Sequence, residues 1–187
     1  MKGPISLTVL LCRYDRTHAT ELRTLLLDVH DDCYTGPDRG EFTGRERFAT
    51  FVDQWSQMPG WACVVGYDGD QAVGFAYGAP LPAGSLWWSK VKGLDNPVFT
   101  REDGRRTFAV SEVMVRSQWR KTGTAAHLHQ ELLTGRREER ATLLVDSAHP
   151  KVQELYETWG YRAVGHTQPF DDAPLMTAMV RRLGESG

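Results

Sequence analysis

Between residues 107 and 133 the sequence changes from the two-residue period of a β-strand to the period of an amphipathic helix. The strand pattern covers residues 107–115 and the helical pattern covers 125–133, where Leu128 and Leu132 share the face of Ala125. A short basic loop is all that separates them. A strand that passes so directly into a helix predicts an α/β protein, with helices packed on a sheet.

The remaining periodicities predict elements in the order β-α-α-β-β-β-α-β-α-β-β. A hairpin in the first half and strand–helix–strand units in the second predict a central mixed sheet with helices on both faces. Thr43 and Glu46 fit a capping box that opens the second helix. The predicted strands are residues 5–11, 61–67, 72–77, 107–115, 142–145, 161–165 and 176–180, and the apolar stripes of the other helices are Leu22, Leu25, Leu26 and Val29, then Phe48, Phe51, Val52 and Trp55, then Val152, Leu155, Tyr156 and Trp159.

Length and composition limit the classes of function. With 187 residues, of which 41% are hydrophobic and 25% charged, the chain is expected to form one globular domain over residues 1–187. A net charge of −2 gives no support for a nucleic-acid or membrane partner. Three scattered cysteines without zinc spacing favour a reduced, cytoplasmic protein without a metal. No run approaches the roughly 18 apolar residues that a membrane span needs.

The segment 79–105 breaks both periodicities and contains the pair Trp87-Trp88. A loop of this length inside a compact domain is usually functional. The two tryptophans are candidates for the wall of a substrate pocket. Equally, they could pin the loop to the body of the protein.

The loop between the strand and the helix has the chemistry of a phosphate site. Unpaired N–H groups and a partial positive charge at a helix N-terminus favour a phosphate or pyrophosphate. Gly123 has no Cβ that would hold a ligand away, Ala125 is small, and Arg120 and Lys121 add positive charge. From this segment alone, an ordinary basic loop that enters a helix is at least as good an interpretation.

Two motifs in the second half of the chain carry a resemblance. Arg120-Lys-Thr-Gly-Thr-Ala125 is followed at the appropriate distance by Leu155-Tyr156-Glu-Thr-Trp-Gly160-Tyr161. Together they resemble the GNAT superfamily of acyl-CoA-dependent N-acetyltransferases, whose loop reads (Gln/Arg)-x-x-Gly-x-(Gly/Ala) and whose second motif reads Leu-Tyr-x-x-x-Gly-(Phe/Tyr). The motifs lie within residues 107–165, and the element order extends the resemblance over nearly the whole chain.

The resemblance implies acetyl-CoA as cosubstrate. Backbone groups at the end of the 107–115 strand would pair with the pantetheine arm, and the loop amides would hold the diphosphate. Many family members have Asn seven residues before the tyrosine, and here that position is His149. The implied cofactor contacts are Met114, Val115, Arg120, Lys121, Thr122, Gly123, Thr124, Ala125 and His149.

Transfer of an acetyl group to an amine needs a base, an oxyanion donor and an acid for the leaving thiolate. Glu112 is the candidate base because it interrupts an apolar strand face, where a carboxylate is costly without a role or a partner. An ion pair with Arg105 or Arg106 is the alternative. The Val115 N–H is the candidate oxyanion donor. The resemblance implies that Tyr156 is the acid, whereas its place on an apolar stripe is typical of core packing.

Candidates for acceptor binding are Asp31, Tyr34, Trp87 and Trp88. Carboxylates cluster around the first inter-helix turn and could attract a cationic amine, or they could form an ordinary solvated loop. The histidines outside the motifs have no metal-ligand spacing and are interpreted as structural or surface residues. The carboxylates of this turn are Asp28, Asp31, Asp32, Asp38 and Glu41.

The preferred hypothesis is an N-acetyltransferase that moves an acetyl group from acetyl-CoA to a primary amine, of a small molecule rather than of a protein, by direct attack in a ternary complex. One alternative is a non-catalytic CoA-binding regulatory or interaction module with the same fold. Another is a transferase of this fold that uses a longer acyl-CoA or an aminoacyl-tRNA. A homodimer through the last strands is compatible with the pattern.

Overall fold

The computed structural model describes residues 8–35 and 43–184. They form a mixed seven-stranded sheet with helices against it, in the strand order β1-β2-β3-β4-β5-β7-β6. Strands β4 and β5 are parallel, whereas β1–β2, β5–β7 and β6–β7 are antiparallel. The strands are β1 (Leu10–Asp15), β2 (Ala62–Asp68), β3 (Gln71–Pro80), β4 (Thr107–Val115), β5 (Arg140–Asp146), β6 (Arg162–Thr167) and β7 (Met176–Arg182), and the helices are α1 (Ala19–Cys33), α2 (Arg45–Ser56), α3 (Pro97–Thr100), α4 (Thr124–Leu133) and α5 (Pro150–Thr158).

The predicted fold class and element order are therefore confirmed, with local differences. Gly44, and not Thr43, is the N-cap of α2, because its extended backbone places its carbonyl to accept from the Phe48 N–H. The predicted opening strand lies partly in residues 1–7, outside the described residues, and β1 begins at Leu10.

The described residues fall into two compact units. The first contains residues 8–35, 43–77 and 112–132, and its core joins α1 and α2 to the sheet. The His30 ring stacks on Phe48 at 4.0 Å, and Phe48 lies 6.3 Å from Phe75 between ring centroids. Arg23 of α1 makes a bidentate ion pair with Asp53 of α2, which ties the two helices together.

The second unit contains residues 78–111 and 133–184. Its core includes Phe108, Ala141 and Met179, all fully buried. The loop after β3 also pairs with the outer edge of β6, since Lys92 and His166 exchange two backbone hydrogen bonds.

The apolar stripe predicted on α5 is present but does not form core. Val152 and Leu155 are 41% and 44% exposed, and α5 contains no buried residue. No helix in the described ranges is long and apolar enough to cross a membrane.

Candidate active site

The pairing of β4 leaves half of one strand edge open. The ladder with β5 covers Thr107–Ala109 opposite Arg140–Thr142, whereas β4 continues to Val115 with no further β5 partner in the described chain. The N–H of Arg116 donates to Val73 on β3 at 2.8 Å. Neighbouring residues of a strand direct their backbone groups to opposite edges, so the Val115 N–H lies on the edge away from β3.

The close approach of β3 fixes this part of β4. A Cβ on Gly74 would lie 2.5 Å from the Met114 carbonyl oxygen and 3.1 Å from the Val115 Cα. A side chain at position 74 would therefore displace β4 where the cofactor contacts are predicted. Met114 and Val115 themselves are almost fully buried.

The loop that follows has the backbone conformation of an anion site. Lys121 and Gly123 both have positive φ angles, of 62° and 86°, and the Gly123 carbonyl accepts the first helical bond from His127. Within the described residues, none of the N–H groups of residues 121–126 donates to an acceptor in the protein. These donors, at the N-terminus of a ten-residue helix, suit a diphosphate.

The side chains of residues 120–122 differ in the contacts that they make. Thr122 donates from its hydroxyl to the Trp119 carbonyl at 2.5 Å and lies 2.8 Å from the Thr124 hydroxyl. Arg120 is bonded to protein carbonyls: Nε donates to Val115 and Nη2 donates to Cys33. Lys121 extends from the exposed part of the loop.

Glu112 lies on β4 without a charged partner. Neither Arg105 nor Arg106 pairs with it, and across residues 8–35 and 43–184 no group hydrogen-bonds to its carboxylate. Glu112 is half-buried on β4, and desolvation of its carboxylate raises its pKa to about 8. Its negative charge also raises the pKa of the Cys33 thiol, after the larger effect of burial. Glu112 is therefore close to the C-terminal end of α1.

Tyr156 lies in the second unit, on α5, and is partly exposed. Its ring makes edge-on contacts with Trp159 at 5.2 Å and Tyr161 at 5.8 Å between centroids. His149 precedes α5 as its N-cap, with its carbonyl accepting from Val152 and its side chain 67% exposed. Both residues are thus held by the same helix.

The acidic turn beside α1 is largely neutralised. Arg45 pairs with both Asp28 and Asp31, and Asp32 pairs with Arg116. Asp38 and Glu41 lie outside the described residues. These three carboxylates, which are the ones that the structure describes, therefore already have cationic partners and do not form a free negative rim. Tyr34 follows directly, with its ring 4.9 Å from His30.

The two tryptophans of the long loop have different environments. Trp88 is 3% exposed and donates from Nε1 to the buried Glu102 at 2.7 Å, so it pins the loop. Trp87 packs edge-on against Trp88 at 6.4 Å and remains partly exposed.

Arg116, Trp119 and Cys33 have contacts here that the motifs do not indicate. Arg116 Nε donates to the Ala72 carbonyl at 2.7 Å, and Trp119 Nε1 donates to Asp68 at 3.3 Å. The Cys33 thiol donates to the Val115 carbonyl at 3.5 Å, across 82 positions of sequence. No local signal predicts a pair so far apart. The described residues contain no cluster of three or more His, Cys, Asp or Glu that could hold a metal.

Comparison with known proteins gives one family match in the second half of the chain. Residues 99–183 match the family model described as Acetyltransferase (GNAT) domain. No curated protein sequence matches the chain.

Solved structures match over almost the whole chain. Aminoglycoside 6'-acetyltransferase type Ii has 19% identity and a TM-score of 0.62, with 95% of this chain and 99% of that one covered. An acetyltransferase from Thermus thermophilus has 16% identity and a TM-score of 0.57, with 95% and 98% covered. YncA from Salmonella typhimurium, solved with acetyl-CoA, has 15% identity and a TM-score of 0.58, with 96% of each chain covered. Residues 99–183 are therefore similar to the GNAT acetyltransferase domain, and the chain shares the fold of the solved acetyltransferase structures over nearly its full length.

Proposed function

We propose that the protein is an N-acetyltransferase that moves an acetyl group from acetyl-CoA to a primary amine of a small molecule. The observation that carries the proposal is the run of unpaired N–H groups at residues 121–126, directly after the open edge of β4. The matching structure solved with acetyl-CoA supports the donor, and the matching aminoglycoside acetyltransferase supports a small-molecule acceptor.

The residues present fit acetyl-CoA. The amides of residues 121–125 would bind the diphosphate, and the open edge of β4 at Val115, the residue after Met114, would bind the extended arm. His149 is the further contact that the family pattern indicates. The cosubstrate supplies the acetyl thioester. The Val115 N–H, which lies on the open edge, would donate a hydrogen bond to its carbonyl oxygen.

Glu112 would accept the proton of the amine. A lysine-like amine has a pKa near 10.4 and is therefore mostly charged at neutral pH. A carboxylate with a pKa of about 8 is a stronger base than an ordinary glutamate, and about one tenth of it is in the ionised, basic form at pH 7. The amine would then attack directly within a ternary complex. Asp31, Tyr34 and Trp87 remain candidates for the acceptor side.

Tyr156 would protonate the departing thiolate. Tyr156→Phe keeps the ring contacts with Trp159 and Tyr161 and removes only the hydroxyl. We expect turnover to fall by about tenfold to a hundredfold, with little change in affinity for CoA.

The test combines two measurements on the full chain. Calorimetry with acetyl-CoA measures binding, and release of free thiol with a panel of amines measures transfer, with mass spectrometry of the product to locate the acetyl group on nitrogen. Binding together with thiol release supports the proposal. Binding without transfer to any amine would instead favour a CoA-binding regulatory protein, and the absence of measurable binding would contradict the proposal.

A further inference from the structure

The Arg120 side chain joins two elements that are far apart in sequence. Its Nε donates to the carbonyl of Val115, the last residue of β4, at 3.2 Å. Its Nη2 donates to the carbonyl of Cys33, the last residue of α1, at 3.3 Å. The Cys33 thiol donates to the same Val115 carbonyl at 3.5 Å. Arg120, Cys33 and Val115 thus form one connected group, the Arg120 cluster.

Each contact of the cluster has a physical reason. The last carbonyls of a helix have no partner within the helix, and a cation near them is favourable. The Cys33 carbonyl is such a group, and Arg120 supplies the cation. A guanidinium offers donors in a fixed planar fork, so it can hold two carbonyls at once, which a lysine ammonium cannot do in the same geometry.

The cluster bears on the donor site through Val115. Its carbonyl receives both donors, and its N–H is on the same open edge of β4. Holding the carbonyl fixes the orientation of the residue, and Lys121, which follows Arg120, begins the anion-binding turn with its positive φ angle of 62°. Arg120 therefore connects the strand end to the loop.

We propose that Arg120 is a positioning residue of the donor site, whose side chain holds Val115 and the end of α1 and does not bind the diphosphate. This inference rests on the proposed function. A basic residue in such a loop would ordinarily be expected to contact the phosphate. The proposed role of Arg120 differs, because its side chain holds the protein backbone instead.

The test compares two donors, acetyl-CoA and S-acetylpantetheine, which lacks the diphosphate. Arg120→Lys keeps the positive charge but loses the fork. We expect kcat/KM to fall by about tenfold or more, and by the same factor with both donors, because a small displacement of a reacting group is costly. The affinity for CoA in calorimetry should change by less than about threefold, since the Arg120 side chain is bonded to the Val115 and Cys33 carbonyls and not to the diphosphate.

Arg137→Lys is the matched control, because the Arg137 side chain is exposed and makes no hydrogen bond or ion pair within the described residues. It should leave both rates unchanged. A loss confined to acetyl-CoA, or no loss with either donor, would overturn the positioning role. If Arg120→Lys fails to fold, Cys33→Ala is the second variant, because it removes the other hydrogen-bond donor to the Val115 carbonyl. It should give a smaller loss of kcat/KM, again by the same factor with acetyl-CoA and with S-acetylpantetheine.

Hydrogen exchange separates this inference from the proposed function. If the wild-type protein binds no CoA, the proposed function fails, but the cluster can still be examined in the protein alone. Arg120→Lys should then accelerate amide exchange at the end of α1 and around Val115. Unchanged exchange there would contradict the cluster itself.

Discussion

At the residue scale, a buried and a half-buried glutamate show how partners decide the properties of a carboxylate. Glu102 accepts hydrogen bonds from three side chains, those of Trp88, Thr107 and Arg140. Glu112 has no such partner among the described residues, and desolvation raises its pKa to about 8. A carboxylate that is expensive to ionise and close to an open strand edge is a functional candidate.

Glu112→Gln tests the base directly. We expect kcat/KM to fall by about a hundredfold or more. The wild-type rate should decline below about pH 8, where Glu112 becomes protonated, and this part of the decline should be absent from the variant. The rate is measured from pH 6 to 9 with two acceptors of different amine pKa, since the contribution of Glu112 should not move with the acceptor. Glu21→Gln, at an exposed position of α1, is the control. A Glu112→Gln enzyme with the wild-type rate and profile would exclude the base role.

At the element scale, the long loop after β3 is anchored by a buried ion pair. The Glu102 and Arg140 side chains are 0% and 6% exposed and lie 2.9 Å apart. The Arg140 guanidinium also lies over the Phe99 ring at 4.2 Å and donates to the Phe99 carbonyl at 2.6 Å. The loop that interrupts the sequence pattern is therefore fixed to the start of β5.

Arg140→Met is expected to lower the free energy of unfolding by about 3–5 kcal/mol, because it leaves the Glu102 charge buried without a cation. Chemical denaturation gives the measurement. The double variant Glu102→Gln/Arg140→Met should be less destabilised than Arg140→Met alone, since no uncompensated charge remains. Arg137→Met, at an exposed site, should have little effect. The ion pair would be contradicted if the free energy of unfolding lost by the double variant equalled the sum of the losses in Arg140→Met and Glu102→Gln measured singly.

At the scale of the whole molecule, Glu112 makes stability depend on pH. An unfolded glutamate has a pKa near 4.3, whereas folding raises that of Glu112 to about 8. Between these values the folded state binds more protons than the unfolded state, so this group reduces stability as pH rises through the interval and has no further effect above it.

Glu112→Gln removes this dependence. The melting temperature of Glu112→Gln, relative to that of the wild type, should therefore rise as the pH increases from about 5 to 8. Thermal unfolding in buffers of equal ionic strength gives the measurement. A difference that stays constant over this interval would mean that the carboxylate is solvated in the folded protein.

Local patterns were sufficient for the elements and for the similarity to the GNAT domain. Strand β4 has the predicted bounds, and α4 starts one residue before its predicted position. Periodicity and glycine placement are properties of neighbouring residues, so a single sequence carries them. The cytoplasmic location and the homodimer stay predictions.

The sequence by itself determined the α/β order of elements, the position of Glu112 on an apolar strand face, and the loop with its free amides. Only the tertiary structure decided which side chains meet: Arg120 with Cys33, 87 positions away, and Trp88 with Glu102, 14 positions away. It also left the α5 stripe exposed. The reason is that periodicity depends on adjacent residues, whereas the partner of a charged or aromatic side chain depends on which distant elements the fold brings beside it.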